Sequence, residues 1–247
     1  GRPEVQECAA APNRPQGLIL AGSGSNLAYA RAVAERFAHA HPRGASQVAA
    51  SIGTRGAVAA LVDGAIDVGL ASRPLKEDER ALGVRAEPWA RAPFGAVVSR
   101  RSAAPASLNA ADLAGLLRGD RTAWADGTPV VVLLRERGDS GQALLRRWSR
   151  EVADALDEAL EAGRWPVLTT DQDMRDALLS TDGALGFLDV GTVRIEGLPL
   201  RFVSRTDPKP LSLLLGPHSP PLAKEFVAFA TSPAAEAVRR LAGYAAP

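Results

Sequence analysis

The chain has one cysteine, Cys8, in 247 residues. That count excludes an intrachain disulfide and any cysteine-ligated metal. Histidine is nearly as scarce: His39, His41 and His218 are the full set. No clustered carboxylates accompany them, so neither a metal nor another cofactor is expected. Aromatic residues make up 5%, and 29 basic residues face 28 acidic ones for a net charge of +1. A nucleic-acid partner needs a basic footprint or stacking platforms, and this composition provides neither. The excess of Arg over Lys, beside abundant Ala, points to a GC-rich genome instead. No apolar run approaches the ~18 residues that would span a bilayer. The first 16 residues, Gly1–Gln16, are polar with interspersed Ala and Pro and read as a disordered leader. Val5-Gln6-Glu7 lacks the apolar and small residues of a lipidation site, so Cys8 reads as an unpaired thiol.

What is present is a chain of ordinary globular composition, 46% hydrophobic and 23% charged, long enough for one domain or two lobes. From Leu18 onward, short apolar runs alternate with amphipathic stretches, the pattern of an α/β fold. Strands are expected at Leu18–Leu20, Val48–Ser51 and Ile66–Ala71, with helices over Leu27–Ala40 and from Val58 to about Asp63. A second unit begins near Pro93. It has strands at Gly95–Ser99, Val130–Leu134 and Ala184–Leu188, and a helix capped by Asn109. A single long helix carries Leu144, Leu145, Trp148, Val152 and Leu156, and a shorter one is capped by Asp171. The chain then returns to a strand at Leu211–Leu215 and to helices over Pro221–Ala230 and Pro233–Leu241.

Three segments share a context, each following a strand and opening a helix. They are Gly22-Ser23-Gly24-Ser25-Asn26, Ser51-Ile52-Gly53-Thr54-Arg55-Gly56 and Gly138-Asp139-Ser140-Gly141-Gln142. A helix start exposes unpaired N–H groups and the positive end of the helix dipole. Glycine lets the backbone approach a ligand, and Ser, Thr or Asn adds donors. One such turn is usually only a cap. Three of them, the third preceded by Arg135, point to an anion site, with Arg135 as a bidentate partner. Neither GxGxxG nor GxxxxGK[ST] is completed, since Leu27 stands where the third glycine would be.

With these motifs in this order, the chain resembles the phosphate-binding proteins of bacterial phosphate ABC transporters from about Leu18 to Tyr244. The resemblance also includes Gly64-Ala65-Ile66-Asp67-Val68-Gly69-Leu70-Ala71-Ser72-Arg73-Pro74-Leu75, Gly183-Ala184-Leu185-Gly186-Phe187 and the ending Leu241-Ala242-Gly243-Tyr244. It implies a two-lobed, type II periplasmic-binding-protein fold with lobe one at about 17–91 and 202–247 and lobe two at about 92–201. It further implies capture of phosphate or a similar tetrahedral oxyanion by a monomer outside the cytoplasm, for a membrane permease, without catalysis. The anion contacts implied are Asn26, the Leu27 N–H, Thr54, Arg135, Ser140, Gly141 and Gln142, with Ser25 beside them.

Two departures stand out. Arg73 takes a position where many members have an Asp that accepts a hydrogen bond from the protonated anion; it either contacts the anion or pairs with a local carboxylate such as Glu77 or Asp78. Asp139 becomes the candidate acceptor in its place. The third loop is one residue longer than usual, with Gln142 where Thr is common. Two other readings remain open. The chain could be a sensor or interaction module of the same fold within a larger protein. Gly138-Asp139-Ser140-Gly141 also matches the surroundings of a serine-protease nucleophile, but a helix follows it and no histidine is placed to act as base.

Overall fold

The computed structural model describes residues 17–247; the leader with Cys8 lies outside the described residues. The first element is β1 (Leu18–Gly22), which runs directly into α1 (Gly24–Ala40). Next come β2 (Ser46–Val48), α2 (Gly53–Val62), β3 (Val68–Ala71), α3 (Glu77–Ala81) and β4 (Arg85–Ala92). The middle of the chain forms β5 (Phe94–Ser99), α4 (Ala110–Arg118), β6 (Val131–Val132), β7 (Leu134–Arg135), α5 (Ser140–Trp148), α6 (Arg150–Ala162) and β8 (Val167–Leu168). It continues through α7 (Asp171–Ser180), β9 (Ala184–Asp189), α8 (Val190–Ile195) and β10 (Leu200–Phe202). The last elements are β11 (Lys209–Leu215), α9 (Pro221–Ala230), a 3-10 turn at Pro233–Ala235, and α10 (Glu236–Leu241).

Two main sheets result. The first has the order β2-β1-β3-β11-β4, with β1 parallel to β2 and β3 and β11 antiparallel to β3 and β4. The second has the order β10-β5-β9-β6, and β7 and β8 form a separate two-stranded ribbon. Each main sheet is apolar on both faces because neighbouring residues of a strand point to opposite sides. Leu213 joins Leu20, Phe37, Leu70 and Phe226 under α1 and α9, whereas its neighbour Leu214 packs with Leu61 and Ile66 under α2. In the second sheet, Ala96 and Val98 face Leu117, Leu145 and Leu156, while Val97 faces Met174 and Leu178. The chain crosses between the sheets at Pro93 and again between Phe202 and Lys209; Phe202 itself ends a strand of the second sheet.

Three expectations change. The expected single helix over 144–156 is two helices, because Ser149 is extended (φ −150°, ψ 125°) and its hydroxyl caps the second through the Val152 N–H. Strand β4 carries Arg85, Glu87, Arg91 and Pro88, a composition that hides it from any apolar pattern. It forms as an edge strand, and Pro88 lies opposite Ser212 where the pairing with β11 shifts register. Finally, Asp171 is not the cap of its helix: Thr170 is, accepting the Asp173 N–H at 3.0 Å. Asp171 becomes the first helical residue, with its carboxylate free for other partners.

Candidate oxyanion site

Between the two sheets lies a cleft of about 460 Å³. The first residues of four helices reach it: Gly24 of α1, Gly53 and Thr54 of α2, Ser140 of α5 and Asp171 of α7. Gly53 (φ 73°) and Gly138 (φ 89°) turn the backbone into α2 and α5 through a left-handed conformation that residues with a side chain resist. With a Cβ at Gly24, the side chains of Asp171 and Gln172 would lie 2.9 Å away, so α1 and α7 approach closely only because Gly24 has none. The cleft wall carries five cationic side chains, Arg55, Arg73, Lys76, Arg135 and Arg137, against Glu136, Asp139 and Asp171. The converging helix starts make the cleft attractive to anions, while Arg73, Arg135 and Arg137 are each paired with carboxylates.

The implied site residues do not all point into this space. Thr54 lines it, and its hydroxyl oxygen accepts the Ser72 N–H at 3.1 Å. Ser140 lines it with its hydroxyl 2.7 Å from that of Ser72, which in turn accepts from the Ser23 hydroxyl at 2.7 Å. This serine chain links the β1–α1 turn and the end of β3 to the start of α5. Ser25 is buried beneath the cleft, where it donates to Asp171 at 2.8 Å and accepts from the Lys209 ammonium at 2.8 Å. Lys209 is itself 1% exposed and lies 4.5 Å from the centre of the Phe94 ring.

Arg135 sits at the end of β7. Its guanidinium donates to the carbonyls of Leu168 (3.2 Å) and Thr169 (3.1 Å) and to the Asp171 carboxylate, and it lies 3.3 Å from Asp139. The arginine fork is therefore present but largely occupied by protein acceptors. Asp139 caps α5 by accepting the Gln142 N–H at 3.1 Å, so both its oxygens are engaged within its own loop.

The side chains of most remaining implied residues are engaged within the protein. The Asn26 amide donates to the Ala71 carbonyl at 2.8 Å and accepts from the Trp89 indole at 3.1 Å, pinning α1 to β3 and β4. The Leu27 side chain is fully buried in the first core. Gly141 is glycine because a Cβ there would meet the Phe94 ring at 2.7 Å. Gln142 turns away from the cleft and donates to the Arg135 carbonyl, leaving its own buried amide oxygen without a partner among the described residues. Arg73 lines the cleft but makes a two-pronged pair with Glu79 at 2.7 and 3.0 Å, not with Glu77 or Asp78. That pairing is the main reason the Glu79 carboxyl is held below its ordinary value.

Sequence reasoning misses Ser72, Asp171 and Lys209 as members of this site. Ser72 lies within the Gly64–Leu75 motif, where nothing local singles it out. Lys209 has a signal, as the one cation heading the apolar strand Lys-Pro-Leu-Ser-Leu-Leu-Leu. Asp171 looks like a helix cap, a role that Thr170 performs. Ser140 has Ser72 as its partner, and no histidine lines the cleft, so the nucleophile–base contact that a serine hydrolase needs is not formed there. Among the described residues, no group of three His, Cys, Asp or Glu side chains is placed to hold a metal ion, and no helix is long and apolar enough to cross a membrane.

The sequence model of the family described as "PBP superfamily domain" matches residues 9–214. Among solved structures, the chain is similar to a candidate phosphate ABC transporter substrate-binding protein with bound phosphate from Clostridium perfringens. The TM-score is 0.74 at 16% identity, over 94% of this chain and 99% of that one. It is also similar to the periplasmic molybdate-binding protein of Azotobacter vinelandii, with TM-score 0.67 and 17% identity over 93% and 99% of the two chains. A third similar structure is the reduced form of OxyR from N. meningitidis, with TM-score 0.64 and 14% identity over 94% and 98%. At these identities the likeness is one of fold. No curated protein matches the sequence.

Proposed function

The chain belongs to the PBP superfamily and has its two-lobed type II fold; within that family we propose that it captures a tetrahedral oxyanion, with inorganic phosphate the first candidate. One observation carries this reading: four helix starts meet in a single cleft between the two sheets. A buried dianion is tolerable only where fixed N–H and O–H donors replace its lost water. Thr54, Ser140 and the first turn of α2 are such donors, and the Arg135 fork joins them once it leaves its protein acceptors. The proposed lobe boundaries, at about 91–92 and 201–202, lie close to where the chain changes sheet. In this reading the segments there act as the hinge. Closure would carry Arg135 and the α5 start onto an anion already resting on α1 and α2. The bound chain would then deliver its anion to the permease of an ABC importer from outside the cytoplasm. The phosphate and molybdate described for two similar structures define the ligand range to test.

The experiment is a thermal-melting and calorimetric screen with phosphate, arsenate, sulfate, molybdate and tungstate. The reading expects at least one of them to raise the melting temperature at submillimolar concentration. Failure of all five to bind a folded protein would refute it. A second reading, an effector-sensing module, is favoured by the likeness to OxyR. It predicts that the chain functions joined to a further domain, and that anion binding alters that domain's activity instead of transport.

A further inference from the structure

Two of the donors that sequence reasoning assigns to the anion, Ser25 and Arg135, already hold an anion, the side chain of Asp171. Ser25 has one hydroxyl proton, and it goes to Asp171 Oδ2 at 2.8 Å. The guanidinium of Arg135 turns one terminal nitrogen to Asp171 Oδ1 and the other, with Nε, to backbone carbonyls. Lys209 approaches the same carboxylate through the Ser25 hydroxyl. The Asp171 side chain is only 8% exposed, yet Thr170 already caps its helix, so this position is not explained by capping. Its approach to α1 also depends on Gly24 having no side chain.

We infer that Asp171 is the specificity-determining residue of the cleft: its carboxylate occupies the anion position as a resident ligand and must be displaced by whatever binds. This rests on the oxyanion reading above and sharpens it. An incoming carboxylate or other single charge only exchanges like for like with Asp171 and must also move it aside. A doubly charged tetrahedral oxyanion returns more. Two of its oxygens take the Ser25 and Arg135 donors, and the others reach Thr54 and Ser140. The ligand class selected is thus the tetrahedral dianion, and Asp171 rejects carboxylates and singly charged anions by occupying their place.

The test is calorimetry on the full chain with inorganic phosphate and with acetate, in the wild type and in Asp171→Asn, at about pH 6 and about pH 8. In the wild type, phosphate affinity should rise toward the higher pH as the dianion becomes the main species, and acetate should not bind. Asp171→Asn should bind phosphate roughly tenfold or more tightly, with acetate binding becoming detectable. A folded variant that binds phosphate equally or more weakly would overturn the inference while leaving the oxyanion reading intact. Binding of phosphate by the variant alone would support it; binding by neither protein would overturn both. If the variant gives no cooperative melting transition, a carboxyl carbon-13 signal in the labelled wild type decides. Phosphate saturation should move the Asp171 signal to that of a solvent-exposed carboxylate, and an unmoved signal under saturation overturns the inference.

Discussion

At the scale of single residues, the cleft shows that a motif's residue types do not fix its partners. Arg135 is where its neighbours in sequence suggest, at a strand end ahead of a helix start. Its fork, however, is spread over two carbonyls and two carboxylates. A lysine there keeps the charge but cannot span those four acceptors. Arg135→Lys should therefore weaken oxyanion binding about tenfold or more and destabilise the fold by about 1–2 kcal/mol. Calorimetry and urea unfolding at neutral pH measure the two effects; unchanged affinity would remove Arg135 from the site. Gln142 teaches the reverse lesson. It occupies a motif position but turns into the protein to hold the Arg135 carbonyl, and so the strand that carries Arg135.

Among elements, the decisive feature is how helix starts are brought together. α1 begins two residues after β1 ends, and Ser23, between them, takes the Leu70 carbonyl with its N–H at 2.9 Å. That leaves the α1 start level with the end of β3 and facing α7, with Gly24 as the point of contact. Gly24→Ala should place a methyl group against Asp171 and Gln172. The expected result is overpacking of about 1–3 kcal/mol, relieved by moving α7, and with it the Arg135 anchor, away from α1. Small-angle scattering should then show a larger radius than wild type, with oxyanion affinity lowered about tenfold. An unchanged radius and affinity would mean that the contact between these two helices does not set the geometry of the cleft.

Across the whole molecule, a buried contact behind the cleft lining ties the two sheets' layers together. Asp189, at the end of β9, accepts hydrogen bonds from the Thr192 N–H (2.9 Å), the Thr192 hydroxyl (2.7 Å) and the Tyr244 hydroxyl. Tyr244 in turn packs edge-on to Tyr29 of α1, at 5.1 Å between ring centres. Burial pushes the Asp189 carboxyl above its ordinary value, opposed by those hydrogen bonds, and burial also drives the Tyr244 hydroxyl well up. A raised folded value means the native state holds this proton more tightly than the unfolded chain. Its contribution to stability is complete below the unfolded value of about 3.9 and is lost as pH rises through the folded value. The stability of wild type relative to Asp189→Asn should therefore fall as pH increases from about 4 to about 8. The fall is about 1.4 kcal/mol for every tenfold by which folding tightens the carboxyl's hold on its proton. Urea unfolding of both proteins at several pH values measures this; a difference that grows in favour of wild type with pH would contradict it.

Alternating apolar runs and helix-period patterns by themselves determined the α/β class, most of the strands and the presence of a helix after each of the three glycine-rich loops, though not that α1 and α2 begin as early as Gly24 and Gly53. These are local properties, set by side-chain spacing, by glycine's access to left-handed backbone and by short turns. They made a candidate anion site legible before any contact was known. Strand β4 escaped because an edge strand needs no apolar periodicity. The break at Ser149 escaped because the apolar spacing of α5 and α6 runs on across it. Only the tertiary structure decided which donors face the cleft. Whether Asn26 meets an anion or Trp89, Arg73 an anion or Glu79, and Ser25 an anion or Asp171 depends on residues 6 to 146 positions away. Hydrogen-bond partners at that separation are fixed by packing two sheets against a shared cleft, and no local pattern encodes them.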